Sequence, residues 1–175
     1  MTGVPDLDGQ VVVVPTAEAM HALGGRLATV LVAGDLVVLA GDLGAGKTAL
    51  TQGIGHGLGV RGPVTSPTFV VARVHPPLAG GPPLVHVDAY RLAALSEVDD
   101  LDLDASLEDS VTVVEWGGGL VEGLSDNHLD VVIRRSVGPG DETRVVTLAA
   151  AGARWAGVDL GAVVRAAGSE QEESG

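Results

Sequence analysis

The residues from Gly41 to Thr48, G-D-L-G-A-G-K-T, have the types and spacing to hold a nucleoside triphosphate. Gly41, four intervening residues, then Gly46, Lys47 and Thr48 fit the phosphate-loop pattern G-x-x-x-x-G-K-[ST]. Glycines at 41, 44 and 46 let the backbone turn so that successive amide N–H groups point at phosphate oxygens. A helix opening near Gly46 adds its free N–H groups and the positive end of its dipole. Lys47 brings a flexible point charge to the β- and γ-phosphates, and the Thr48 hydroxyl is placed to ligate a magnesium ion already held by phosphate. The candidate nucleotide-binding set therefore comprises Gly41, Asp42, Leu43, Gly44, Ala45, Gly46, Lys47, Thr48 and Ala49. Short patterns of this kind also arise by chance, so the flanking elements must support the reading. Lys47 is the only lysine in the chain, which is equally what a composition favouring arginine would give.

Transfer of a phosphoryl group to water also needs a metal ion and an oriented nucleophile. Two acids stand where apolar runs end, Asp88 after L-V-H-V and Glu115 after V-T-V-V. An acid at a strand end beside a phosphate loop can hold magnesium directly or through water, or orient the attacking water; acids also cap strands merely for solubility. Thr65, Ser66 and Thr68 offer hydroxyls on a segment stiffened by Pro67. It reads either as a switch that closes over the γ-phosphate or as an ordinary turn into a strand. Histidines at 21, 56, 75, 86 and 128 show no metal-ligand spacing. His86 precedes Asp88 by two residues and reads as a packed strand residue more readily than as a site residue. Asp100, Asp102 and Asp104 imitate the start of a calcium loop, but Ala105 and Val111 occupy the positions that require glycine and glutamate, which excludes it.

The elements that must position these groups are legible from periodicity. Leu36 to Ala40 is an apolar run that reads as the strand before the loop, and Thr48 to Leu58 as the helix after it. Val11 to Val14 predicts a short strand stopped by Pro15. Thr16 then serves as N-cap of a helix in which Met20, Leu23, Leu27 and Leu31 recur toward Gly34 as its C-terminal stop. Val70 to Val74 and Leu84 to Val87 predict strands around His75 to Pro83, whose prolines donate no ladder hydrogen bonds and make it an exposed hairpin-like connection. Val111 to Val114, Leu129 to Ile133 and Val145 to Leu148 predict three more strands. Residues 151–167 read as a helix or an irregular closing segment. The fold expected is α/β: a P-loop NTPase-like three-layer fold with a mixed, mainly parallel central sheet and antiparallel additions from the hairpin and the late strands.

Composition sets the frame. At 175 residues and 46% hydrophobic, the chain suits one domain, expected over residues 1–167, with 168–175 a disordered acidic tail. There is no cysteine, which removes disulfides and thiolate metal sites. The first residues lack the basic start and apolar core of a secretory signal, and the most apolar stretch is broken by Asp35, so the expected location is cytoplasmic. A formal net charge of −13 opposes direct binding to a phosphate backbone; any RNA in the biology should be held by a partner.

Taken together, G-D-L-G-A-G-K-T, S-P-T-F, H-V-D-A-Y-R and E-W, in this order and at these distances, resemble the TsaE (YjeE) family of bacterial ATPases required for threonylcarbamoyladenosine in tRNA. The resemblance covers about Thr16 to Leu148. It implies ATP and Mg2+ as cofactors, Lys47 and Thr48 as phosphate and magnesium residues, Asp88 as the strand-end acid, Glu115 as a magnesium ligand or water-orienting residue, and Thr68 as a switch residue. It also implies that Trp116 lies beside the nucleotide, with Thr16 and Arg144 near it. The implied partners are TsaB and TsaD, which hold and modify adenosine 37 of the tRNA. Ala49 departs from the second Thr or Ser common in the family, and the proline-rich 75–83 segment is unusual for it. Among rival readings, a small-molecule P-loop kinase would need a substrate pocket and an arginine-bearing lid. A GTPase would need an N-K-x-D motif, which a chain with Lys47 as its only lysine lacks. A non-hydrolysing, nucleotide-gated interaction module is the third.

Overall fold

β-Branched runs become strands and segments with apolar residues at helical spacing become helices. The computed structural model describes residues 9–41, 46–62, 64, 72–88, 108–115, 126–135 and 142–165, with Asp88 described in its backbone alone. The order is β1 (Gln10–Val14), α1 (Ala17–Ala28), β2 (Leu36–Gly41), α2 (Lys47–Leu58), β3 (Ala72–His75), β4 (Leu84–Asp88), β5 (Val111–Glu115), β6 (His128–Arg135) and β7 (Arg144–Ala151). A 3-10 turn at Ala153–Trp155 and helical residues over 160–165 follow, so the closing segment is part helical and part irregular. No described helix is long and apolar enough to cross a membrane.

The seven strands form one sheet in the order β1-β7-β6-β2-β5-β4-β3. β6, β2, β5 and β4 run parallel, while β7 and β3 join them antiparallel and β1 pairs antiparallel with β7. The mixed, centrally parallel sheet is the one expected, except that β6 joins the parallel core and β7 alone of the late pair reverses. Alternation along β2 sends Val37 and Leu39 into the core shared with α1 and α2 and Val38 to the opposite face. Val38, Val85, Val114 and Val132 are buried there as well, so the central strands are covered on both faces, as a three-layer arrangement requires.

α1 starts as expected, with the Thr16 hydroxyl accepting from the Ala19 amide at 3.1 Å. It ends at Ala28, well before Gly34. The Thr29 N–H reaches back to the Arg26 carbonyl and the Val30 N–H to that of Leu27, and the Thr29 hydroxyl donates to the Arg26 carbonyl, tightening the last turn. Gly34, at φ 98°, instead serves the turn into β2, where the Asp35 carboxylate accepts from the Val32 amide and from Arg154 at 2.9 Å. β3 begins at Ala72, and Val70 and Val71 lie outside the described residues. The proline-rich connection is exposed at Leu78 but anchored, because Arg61 N–H donates to the Pro76 carbonyl and Leu78 N–H to that of Gly59.

α1 and α2 pack unusually closely, and glycine is the reason. A Cβ at Gly24 would stand 2.2 Å from the Leu50 carbonyl oxygen, and one at Gly53 would stand 2.0 Å from that of His21. The helices therefore lie parallel and backbone to backbone, both starting at the same edge of the sheet.

Candidate functional site

The four parallel strands end together, so Gly41, Asp88, Glu115 and Arg135 arrive at one edge of the sheet. β1 runs the same way and delivers Thr16 to that edge; β7, running oppositely, starts there with Arg144, which is in register with Val14 and Arg135. Carboxyl ends of parallel strands are where ligands sit in such sheets, because the loops to the following helices open there.

α2 opens at this edge from Gly46, whose φ of 107° is a left-handed conformation that glycine adopts freely. A Cβ at that position would meet the Met20 side chain at 3.3 Å, so the turn also runs tight against α1. Lys47 follows at the first helical position, 7% exposed, with Nζ donating to the Gly41 carbonyl at 2.8 Å. That bond ties the head of α2 to the end of β2. Thr48 is exposed in the first turn, and Ala49 packs against the core. Asp42, Leu43, Gly44 and Ala45 lie outside the described residues, as do Thr68 and Trp116.

The acids are not equivalent. β5 adjoins β2, with Glu115 in register with Leu39; β4 lies beyond β5, with Asp88 in register with Glu115. At ordinary strand spacing Asp88 is thus roughly 10 Å from β2 along the sheet, twice as far as Glu115. Glu115 is 7% exposed, and its Oε1 is buried with no hydrogen-bond partner among the described residues. Nε2 of His86 lies 3.2 Å from it, without the alignment of a hydrogen bond. His86 is wholly buried. It is a packed strand residue, but it also touches the site. The signal available in sequence was its place two residues before Asp88, which puts it on the sheet face that Glu115 uses in the next strand.

Neighbouring His75, on β3, is also buried. Burial holds its pKa below the ordinary histidine value, with His86 and Arg73 acting in the same direction and a backbone hydrogen bond at Arg61 opposing them.

Thr16 and Arg144 reach the same edge, but each has a local occupation. The Thr16 hydroxyl caps α1, and Arg144 donates to the Thr143 carbonyl at 3.1 Å while half-buried two strands from β2. Among the described residues no three His, Asp or Glu side chains gather as a metal cage. A magnesium ion bound largely by phosphate and water needs only one or two protein ligands. A groove of about 560 Å³ between Arg26, Val30, Arg154 and Val163 lies at the other end of the sheet, beside Asp35, and is not part of this constellation.

The family profile described as "Threonylcarbamoyl adenosine biosynthesis protein TsaE" matches residues 14–144. A Streptomyces coelicolor protein named tRNA threonylcarbamoyladenosine biosynthesis protein TsaE is 64% identical over 143 residues, 81% of this chain and 97% of the relative. Proteins of the same name from Mycobacterium tuberculosis and Bacillus subtilis are 53% and 41% identical, over 79% and 70% of this chain and 86% and 73% of theirs. The crystal structure of Bacillus subtilis YdiB superposes with a TM-score of 0.65 at 28% identity, covering 95% of this chain and 99% of that one.

Proposed function

The chain belongs to the TsaE family of threonylcarbamoyladenosine biosynthesis proteins, and from that premise we propose that it is the magnesium-dependent ATPase of the machinery that modifies adenosine 37 of tRNA. In this reading it acts in the cytoplasm with TsaB and TsaD, and the tRNA is held by those partners. The observation that carries the reading is the convergence of Lys47, at the head of α2, with the buried carboxylate of Glu115, on the strand beside the loop strand.

ATP is bound at the carboxyl edge, its phosphates against the loop amides and the start of α2. Lys47, tied to the end of β2 by its bond to Gly41, neutralises charge that develops on the β- and γ-oxygens. Thr48 and the strand-end acids Asp88 and Glu115 fit the magnesium ion: an exposed hydroxyl in the first turn of α2, and two acids level with each other at the ends of neighbouring parallel strands. When bound, magnesium supplies Lewis-acid neutralisation of the phosphate oxygens. Glu115 orients the attacking water, since its strand is the nearer to the loop. Asp88, one strand out, is suited to reach the metal through water.

The test is ATP turnover and ATP affinity with and without magnesium, for the chain alone and with TsaB and TsaD. Magnesium-dependent release of phosphate, slow alone and faster with partners, is expected. Tight binding without phosphate release in either setting would favour the nucleotide-gated module instead.

A further inference from the structure

His86 is a fully buried imidazole whose two ring nitrogens have no hydrogen-bond partner among the described residues, a condition that is costly for a buried polar group. Its Nε2 is 3.2 Å from Oε1 of Glu115, the carboxylate oxygen that is itself buried and unpartnered. The sheet explains how they meet. β4 and β5 are parallel, and His86 is level with Val113 while Asp88 is level with Glu115. The Glu115 side chain therefore leans back along its strand, away from Asp88 and toward the histidine two residues earlier on the neighbouring strand. Oε1 is turned into the protein by this contact.

We propose that His86 is a positioning residue for ATP hydrolysis: its Nε2–H holds Oε1 of Glu115 from behind, so that the other carboxylate oxygen alone faces the metal and the attacking water. The inference rests on the role given to Glu115 above. Partners of this kind are typically worth 10–100-fold in activity, because a carboxylate free to rotate samples geometries that orient no nucleophile. The contact restrains a side chain and touches no part of ATP, so nucleotide affinity stays nearly unchanged.

The experiment compares His86→Leu, His86→Asn and His86→Gln, each with and without Glu115→Ala, by kcat and by ATP affinity. Gln carries an amide nitrogen to the level of Nε2; Asn stops short of it, and Leu has none. The expected result is a loss of about tenfold or more in kcat for Leu and Asn with affinity within about twofold, near-full recovery in Gln, and no additional loss from any of them once Glu115 is Ala. Equal losses in Asn and Gln, or a His86 effect that persists in the Glu115→Ala background, would overturn the proposal, and the Asn–Gln comparison decides even if the Leu protein does not fold. If Glu115→Ala alone hydrolyses ATP normally, the role of Glu115 falls, and with it that of His86. Hydrolysis that depends on Glu115 but not on His86 removes this proposal alone.

Discussion

At the scale of single residues, the proposed function separates groups that would hold the nucleotide from groups that would act on it. Lys47 sits at the head of α2 and is bonded to Gly41, so its removal takes a charge from the phosphates in ground and transition states alike. Charge-assisted hydrogen bonds contribute about 1.5–3 kcal/mol, and Lys47→Ala is expected to weaken ATP binding by roughly 10–100-fold. In the proposed mechanism Glu115, on β5, orients the attacking water rather than holding the nucleotide. Glu115→Ala is expected to keep ATP affinity within about threefold while turnover falls by about 100-fold. Calorimetry beside a phosphate-release assay checks both, and equal loss of binding in the two variants would contradict the division. His75 makes a different prediction. Its pKa in the folded protein is lowered, chiefly by burial, so the unfolded chain takes up a proton first as pH falls. The stability associated with neutral His75 is fully present above the unfolded pKa of about 6.5 and is lost as pH falls from there through the folded value. Urea midpoints at pH 7.5 and pH 5.5 should therefore differ less in His75→Gln than in the parent protein.

At the scale of elements, the glycines between α1 and α2 set how closely the two helices that open at the site can lie. Gly→Ala in a helix interior ordinarily stabilises by about 1 kcal/mol. At Gly53 and Gly24 the added methyl would strike a backbone carbonyl, and forcing helices apart costs about 1–3 kcal/mol, so the net effect is destabilising. At Gly25 the nearest atom to such a methyl is 3.9 Å away, and Gly25→Ala should stabilise. Thermal unfolding checks the contrast: Gly53→Ala and Gly24→Ala lower Tm by several degrees and Gly25→Ala raises it by about 2–4 °C. This contrast was not legible in the sequence, where Gly24, Gly25 and Gly53 look alike. It depends on which helical face meets which, and periodicity gives faces without partners. The end of α1 was missed for a related reason. Leu31 continues the apolar period and is buried, but as part of the turn rather than the helix, because the Thr29 and Asp35 side chains compete for the backbone groups there. β2, α2, β4 and β5 were legible almost to the residue, since parallel strands buried on both faces read as unbroken apolar runs that stop at an acid or a glycine. The Glu115–His86 contact was half legible. The spacing of His86 from Asp88 was visible, but the register between β4 and β5, which alone brings the imidazole to Glu115, is a long-range property.

At the scale of the whole molecule, a net charge of −13 has to be reconciled with the proposed site for a polyanion. The sheet topology reconciles them. Lys47, Arg134, Arg135 and Arg144 fall at the carboxyl edge, brought there by β6 and β7 and the loop helix, so four of the ten Lys and Arg residues stand, beside the acids Asp88 and Glu115, at the edge where the proposal places the phosphates. A small triphosphate is drawn by that local field, because screening at physiological salt confines each charge's influence to about 8 Å. A tRNA cannot be treated in this way. Its backbone extends over many Debye lengths, so it meets the acidic remainder of the surface together with the basic edge, and affinity for such a polyanion scales with the number of phosphates neutralised at once. The chain alone is therefore expected to give no anisotropy change with fluorescent tRNA up to about 50 μM protein at about 0.15 M salt, where basic proteins bind non-specifically at about 1–100 μM. ATP and magnesium should not alter this, since they occupy the basic edge and leave it less positive. Adding TsaB and TsaD should bring tRNA into the complex. If the chain alone binds tRNA and releases it steeply with salt, its cations act as a cluster strong enough to outweigh the acidic surface, and the carboxyl edge would have to be shared between nucleotide and RNA.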